Sequence, residues 1–237
     1  MRVQHATFAD LPNVYSTVVV IDVIRAFTTA AYAFAAGARE ILPTETVAQA
    51  LELAEHVPDS IVMGHAEGGL PPKGFDFGNS PSALIGQDFS DRRVVQRTGA
   101  GTKGLVACAD TETLLAASFP CAGATVRYLK SLNIEEVTFL ATGDHEAIHE
   151  DLACAKYMEA LLSDSSADPG AFLYPVRQGL PLFLEEVEKA FGHLDNFEEL
   201  NAEFNADLDC CFETDRFEFA MVVADRQGLM TLEAVVR

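Results

Sequence analysis

Val18-Val19-Val20-Ile21-Asp22 stands just ahead of the alanine-rich stretch Ala26-Phe27-Thr28-Thr29-Ala30-Ala31-Tyr32-Ala33-Phe34-Ala35-Ala36, which Gly37 ends. The first segment is β-branched and apolar without alternation, the pattern of a strand buried on both faces of a parallel sheet. The second reads as a helix stopped by a glycine free to adopt a left-handed conformation. Outward from this pair the order repeats. Glu40-Ile41-Leu42-Pro43 is a strand, residues 46–56 a helix with Val47, Leu51 and Ala54 on one face, and Ser60-Ile61-Val62-Met63 a strand that opens into the glycine-rich segment 64–81. Residues 82–85 begin another helix. Arg93-Val94-Val95-Gln96 restarts the pattern, and residues 104–109 suit a strand or a short helix. A helix over 122–132, a strand over 136–141 and an amphipathic helix over 150–162 follow. Strands alternating with helices predict an α/β protein. The repeat predicts two similar α/β lobes with largely parallel sheets and a cleft between them. Residues 1–90 would form the N-terminal lobe, and residues 91–237 the C-terminal lobe with an acidic segment and a closing tail. In that tail the apolar runs 217–223 and 229–236 predict a hairpin.

A chain of 237 residues, 49% of them hydrophobic, can bury a large core, and no apolar run reaches the roughly 18 residues of a membrane span. Met1-Arg2-Val3-Gln4-His5 lacks a signal-like apolar stretch, so a cytoplasmic location is expected. The five cysteines, with no Cys-x-x-Cys and with Cys210 and Cys211 adjacent, read as free thiols. The net charge of −20 argues against nucleic acid or an anionic membrane as partner. From Glu185 to Glu218 there are twelve acidic residues against Lys189 and Arg216, which reads as a solvated face. The scarce cations Arg25, Lys73, Arg97 and Lys103 each flank a Gly-, Asp- or Thr-rich turn, where they suit a small anion.

In open α/β sheets ligands bind at the carboxyl ends of strands. Asp22, Glu67, Arg97 and Asp144 all follow strand-like runs, so the fold can bring them together. Gly74-Phe75-Asp76-Phe77-Gly78-Asn79-Ser80-Pro81 adds a carboxylate, an amide and a hydroxyl between glycines, a composition suited to a polar ligand and also to a helix-capping turn.

Three other patterns are set aside. His145-Glu146-Ala147-Ile148-His149 matches the zinc-protease signature, but Thr142-Gly143-Asp144 places it in a strand-to-helix loop, and His193 is isolated. Cys121 and Arg127 have the spacing of a cysteine-phosphatase loop, but the intervening residues have helical character. Asp22 is placed like a haloacid-dehalogenase nucleophile, but Ile24 stands where the general acid is needed.

Ile21-Asp22-Val23-Ile24-Arg25-Ala26, the 74–81 segment, Arg97-Thr98-Gly99-Ala100-Gly101-Thr102 and Glu150-Asp151-Leu152-Ala153-Cys154-Ala155 occur in this order. Together they resemble the 2-phosphosulfolactate phosphatase (ComB) family over residues 15–160, and more loosely the tail. The resemblance implies a Mg²⁺-dependent acid phosphatase that converts 2-phosphosulfolactate to sulfolactate and phosphate on the route to coenzyme M. It also implies an α/β fold with its site between two lobes, and a homodimer. It marks Asp22, Arg25, Glu67, Asp76, Asn79, Ser80, Thr98, Thr102, Glu150 and Asp151 as site residues. Asp22, Glu67, Asp76 and Glu150 are the expected metal ligands. Asp22, Arg25, Arg97, Thr98 and Asp151 are the expected catalytic groups, with both arginines on phosphate oxygens. Lys73, Asn79, Ser80, Gly99, Gly101 and Thr102 are expected to bind substrate. A water activated by the metal or by a carboxylate is one nucleophile, and Asp22 itself is the other. Gly68 and Ala100 stand where an Arg and an Asn are expected. The competing reading is therefore a catalytically silent relative that binds a small anionic metabolite.

Overall fold

A computed structural model describes residues 1–11, 13–66, 70–143 and 148–237. Nine strands and seven α-helices lie within them. The strands are β1 (Arg2–Ala6), β2 (Thr17–Ile21), β3 (Glu40–Thr44), β4 (Ile61–Gly64), β5 (Arg93–Arg97), β6 (Thr113–Ala117), β7 (Glu136–Ala141), β8 (Phe219–Arg226) and β9 (Leu229–Val236). The helices are α1 (Ala26–Ala35), α2 (Val47–His56), α3 (Gly101–Ala107), α4 (Ala122–Ser131), α5 (Glu150–Ser163), α6 (Gly170–Phe191) and α7 (Phe197–Cys211).

Local chemistry sets most boundaries. All five residues of β2 are buried, and each buried Val or Ile contributes about 1.5–3 kcal/mol relative to exposure. Gly37, at φ +102°, ends α1 where a side chain would be strained. A reciprocal cap starts α2: Gln49 N–H donates to Thr46 Oγ1 at 3.1 Å, and Thr46 N–H donates to Gln49 Oε1 at 3.0 Å. Residues 82–84 form only a 3₁₀ turn, and residues 104–109 belong to α3 and the turn after it rather than to a strand.

The α/β class and the largely parallel pairing are as expected. All nine strands join one mixed sheet, in the order β1-β7-β2-β6-β8-β9-β3-β5-β4. The groups β1-β7-β2-β6 and β3-β5-β4 are each internally parallel. The tail forms the expected hairpin, and it lies inside the sheet, with β8 antiparallel to β6 and β9 antiparallel to β3. Segments from either side of residue 90 interleave: β2 lies between β7 and β6, and β5 lies between β3 and β4.

Three antiparallel steps separate β6 from β3, so the two parallel groups run in opposite senses along the sheet. The β9–β3 junction is a single residue pair, Ile41 with Leu232, and the residues after β2 and β5 still meet, with Gly101 against Asp22. Gln96 Nε2 in β5 donates to the Ala26 carbonyl of α1 at 2.9 Å. One core cluster surrounds α1, including Phe27, Ala30 and Phe34 with Leu105 and Met221. A second lies among α4, α5, α6 and α7, including Phe119, Phe139, Tyr157, Met158 and Phe183. Among the described residues no helix is long and apolar enough to cross a membrane.

Candidate active site

The buried strand β2 ends at Asp22, whose side chain turns back to cap α1. Ala26 N–H donates to Asp22 Oδ1 at 3.0 Å, and Phe27 N–H donates to the Asp22 carbonyl at 3.0 Å. The loop after β5 approaches from the other side. A Cβ on Gly101 would lie 2.8 Å from Asp22 Oδ2, so only glycine allows this approach, and the Gly101 backbone N–H bonds the carboxylate.

Two more buried acids open α5. Asp151 Oδ1 accepts from Val23 N–H at 2.7 Å, and its Oδ2 accepts from Gly143 N–H at 2.6 Å and Thr142 N–H at 3.1 Å. One carboxylate thus bolts the ends of β2 and β7 together. Glu150 is buried beside it. Burial pushes the carboxyls of Asp22, Glu150 and Asp151 upward, Glu150 to about 9, and the negative charge of neighbours adds to the rise at Glu150 and Asp151. Three backbone donors oppose the rise at Asp151, which reaches about 7, and Glu150, pushed up to about 9, favours its protonated form at neutral pH.

Opposite charges meet the acids at the same place. Arg25 precedes the first turn of α1, and its charge acts on both Asp22 and His65. Its Nη1 donates to Asp207 Oδ2 of α7 at 2.5 Å. Arg97, the last residue of β5, donates to the backbone carbonyls of Glu45, at 3.2 Å, and His65. His65 follows β4, and its N–H returns to the Arg97 carbonyl at 3.0 Å. Burial, Arg25 and Arg97 drive its imidazole pKa down to about 4, so it is neutral at pH 7. Among the described residues its buried Nδ1 has no hydrogen-bond partner, and neither has Oδ1 of Asn79, a residue only 3% exposed. Buried polar atoms in folded proteins are nearly always satisfied, so the His65 orphan by both arginines, and the Asn79 orphan next to Ser80, which shares Asp207 with Arg25, mark a place where a ligand can supply what the protein does not.

The chain matches the family model described as 2-phosphosulpholactate phosphatase over residues 3–226. It belongs to this family. It is 34% identical over 148 residues to a probable 2-phosphosulfolactate phosphatase of Bacillus subtilis (strain 168), covering 62% of the chain and 64% of that relative. It is 31% identical over 216 residues to a protein of the same description from Pseudothermotoga lettingae, covering 88% of the chain and 90% of the relative. For the Caldicellulosiruptor saccharolyticus protein, again described as a probable 2-phosphosulfolactate phosphatase, the figures are 29% over 213 residues, 84% and 86%.

The residues expected from the family motifs fall into two sets. Asp22, Arg25, Arg97, Asn79, Ser80, Gly99, Gly101, Glu150 and Asp151 come together, linked by the contacts above and by Gly99, whose Cβ would sit 3.2 Å from His65 Nε2. Within this set Asp151 is engaged by strand-end amides on both oxygens. Thr98 and Thr102 serve each other: each backbone N–H donates to the other's hydroxyl at 3.2 Å, Thr98 Oγ1 donates to Thr102 Oγ1 at 3.3 Å, and Thr102 Oγ1 donates to the Thr98 carbonyl at 3.1 Å. These bonds shape the turn that leads into α3. Asp76 is exposed, and its Oδ2 accepts from Val62 N–H at 2.8 Å on the edge of β4. No hydrogen bond or ion pair among the described residues links Asp76 to Asp22 or Glu150, and Lys73 is likewise exposed. Glu67, Gly68 and Asp144 lie outside the described residues, as do His145 and Glu146 of the zinc-like motif. His149 precedes α5 in a left-handed conformation, so it is not on a helical face. Cys121 is fully buried, and Arg127 pairs with Glu218, so no phosphatase loop forms there.

Among the described residues no group of three or more His, Cys, Asp or Glu side chains is arranged to hold a metal. Asp22 and Glu150 nevertheless offer hard carboxyl oxygens that are buried, with negative charge crowding Glu150, so a cation bound there would favour their ionised forms. That donor set fits Mg²⁺, which retains waters and needs only one or two carboxylates, and does not fit a closed protein cage. His65 and Asp207 are the site residues that motif reading missed. A lone His after a strand carried no signal, and Asp207 is hidden in the acidic run.

Proposed function

We propose that this chain is a phosphatase that hydrolyses 2-phosphosulfolactate, or a closely related small organophosphate, to the alcohol and phosphate. The observation that carries this reading is that Arg25 acts on both buried Asp22 and His65, that Arg97 acts on His65, and that Asp22 in turn acts on buried Glu150. Phosphoryl transfer asks a protein mainly for positioning and charge neutralisation. Arg25 and Arg97 would hold the phosphate oxygens through charge-assisted hydrogen bonds. Asn79 and neutral His65 would complete the polar shell around the rest of the substrate. Asp22 Oδ1 already accepts from Ala26 N–H and its Oδ2 is packed against Gly101, so a water is the better nucleophile, and Asp22, made more basic by burial, would take its proton. Mg²⁺, when held by Asp22 and Glu150, supplies the positive charge that lets both remain ionised beside an anionic substrate. The homodimer implied by the family belongs to the same proposal and is read by light scattering of the purified chain.

The test is phosphate release from 2-phosphosulfolactate, 2-phospholactate and other small esters, with Mg²⁺ or with EDTA. Release that requires Mg²⁺ and falls at least about a hundredfold in Asp22→Asn is expected, the scale of one lost electrostatic group. Binding of orthophosphate without any turnover would replace the phosphatase by the silent anion-binding protein. Full release in EDTA would remove the metal from the reading.

A further inference from the structure

Asp207 lies in the acidic run that reads as solvated surface, yet its side chain is fully buried. A buried carboxylate survives only with partners, and this one has four. Arg25 Nη1 donates to Oδ2 at 2.5 Å, while Oδ1 accepts from Ser80 Oγ at 2.8 Å, Ser82 N–H at 2.9 Å and Ser82 Oγ at 2.6 Å. One turn earlier on α7, the Phe204 ring lies 5.1 Å from the guanidinium carbon of Arg25. Helix α7 therefore holds one edge and one face of the guanidinium. The bond to Asp207 is the one hydrogen bond this guanidinium makes among the described residues, so its other N–H donors are left for a ligand. Arg97 is held differently, by the neutral carbonyls of Glu45 and His65.

We infer that Asp207 is the positioning residue of Arg25, fixing its guanidinium at the end of β2 and, through Ser80 and Ser82, in register with Asn79. The physical need is clear. Arg25 is little exposed and already acts on Asp22. Without a carboxylate behind it, the guanidinium would turn onto Asp22 and neutralise the proposed base. The consequence for turnover rests on the phosphatase reading, whereas the positioning itself does not.

Asp207→Asn keeps the shape and an oxygen for Ser80 and Ser82, but it removes the charge and turns an N–H toward Arg25. Side-chain ¹⁵N NMR reads the guanidinium directly, with the Arg25 signal identified by its loss in Arg25→Met. Hindered rotation of the wild-type Arg25 group and free rotation in Asp207→Asn are expected. On a phosphate ester, Asp207→Asn should lower kcat/KM about a hundredfold, the cost of a misplaced catalytic group. Added to Arg25→Met it should cost no more than about twofold, since a residue that acts through Arg25 then has nothing to position. Phe204→Leu should show the same dependence on Arg25 in smaller measure, and it stands in if Asp207→Asn fails to fold. An Arg25 group that stays hindered in Asp207→Asn, or equal losses in both backgrounds, would overturn the inference. No turnover by the wild type, with Arg25 still released by Asp207→Asn, would overturn the phosphatase reading alone.

Discussion

Single residues at this site act through what surrounds them. Asp22 was legible as a strand-end acid, but its raised pKa comes from burial beneath a loop that only Gly101 lets so close. His65 was not legible at all, because one imidazole in sequence carries no information about two arginines brought from elsewhere. Its depressed pKa has a measurable sign. Between pH 6.5 and about 4 the unfolded chain binds a proton at His65 that the folded chain refuses. Its contribution is therefore intact above pH 6.5 and is lost as pH falls toward 4. Thermal melts of wild type and His65→Gln at pH 7 and pH 5 should show a smaller loss of Tm in the mutant. The comparison between the two proteins separates this from the buried acids, whose raised pKa values favour the folded state on acidification. An equal loss would mean that His65 titrates in the folded protein as it does in the unfolded one.

At the scale of elements, the site depends on how strand ends are joined. β4 ends on Gly64, at φ +132°, where a Cβ would lie 1.8 Å from the Arg97 carbonyl. That contact aligns β4 with the end of β5, and so places His65 beside Arg97. Gly64→Ala should cost about 2–4 kcal/mol in urea unfolding, since it adds a clash with backbone to a strained dihedral. Gly86→Ala is the control: φ is +82° but nothing lies within 4 Å of the added methyl, so about 1–2 kcal/mol is expected. Similar costs at both positions would show that β4 and β5 part without penalty. Elements with β-branched or alanine-rich sequences were legible from the chain. Two strands were not: β1 because Arg2, Gln4 and His5 are polar on an outer strand, and β6 because Thr113-Leu114-Leu115-Ala116-Ala117 favours helix by propensity and is made a strand by its place between β2 and β8. α6 carries Pro175 and Pro181 within it, residues that argue against a helix interior, and α7 is masked by its acidity.

For the whole molecule, charge is the dominant global property. A net charge of −20 is carried by a chain whose two arginines at the site are held by Asp207 and by backbone carbonyls. Self-repulsion on this scale opposes compaction, and salt relieves it. Raising ionic strength from about 0.01 M to about 1 M cuts the screening length from roughly 30 Å to 3 Å and should raise Tm. The exposed ion pairs it weakens, such as Arg226 with Glu233, are each worth about 0–1 kcal/mol and should not reverse the sign. A Tm that falls with NaCl would show that such pairs outweigh the repulsion. The acidic run itself is not only a solvated face, because within it Val187, Phe204 and Leu208 pack into the second core and Asp207 reaches Arg25.

The sequence by itself determined what local chemistry controls: the α/β class, the buried strands β2 and β5, the helices α1, α2, α4 and α5, the tail hairpin and the ordered motifs of the family. These follow from periodicity, caps and turn residues within a few positions of one another. Only the tertiary structure decided that the hairpin lies within one sheet, that the segments after β2 and β5 meet although their groups run in opposite senses, and which partners each acid finds. Asp22, Asp76, Asp151 and Asp207 are chemically identical in the chain. Their roles diverge because burial, backbone donors and a guanidinium reach each of them through contacts that the sequence spacing does not encode.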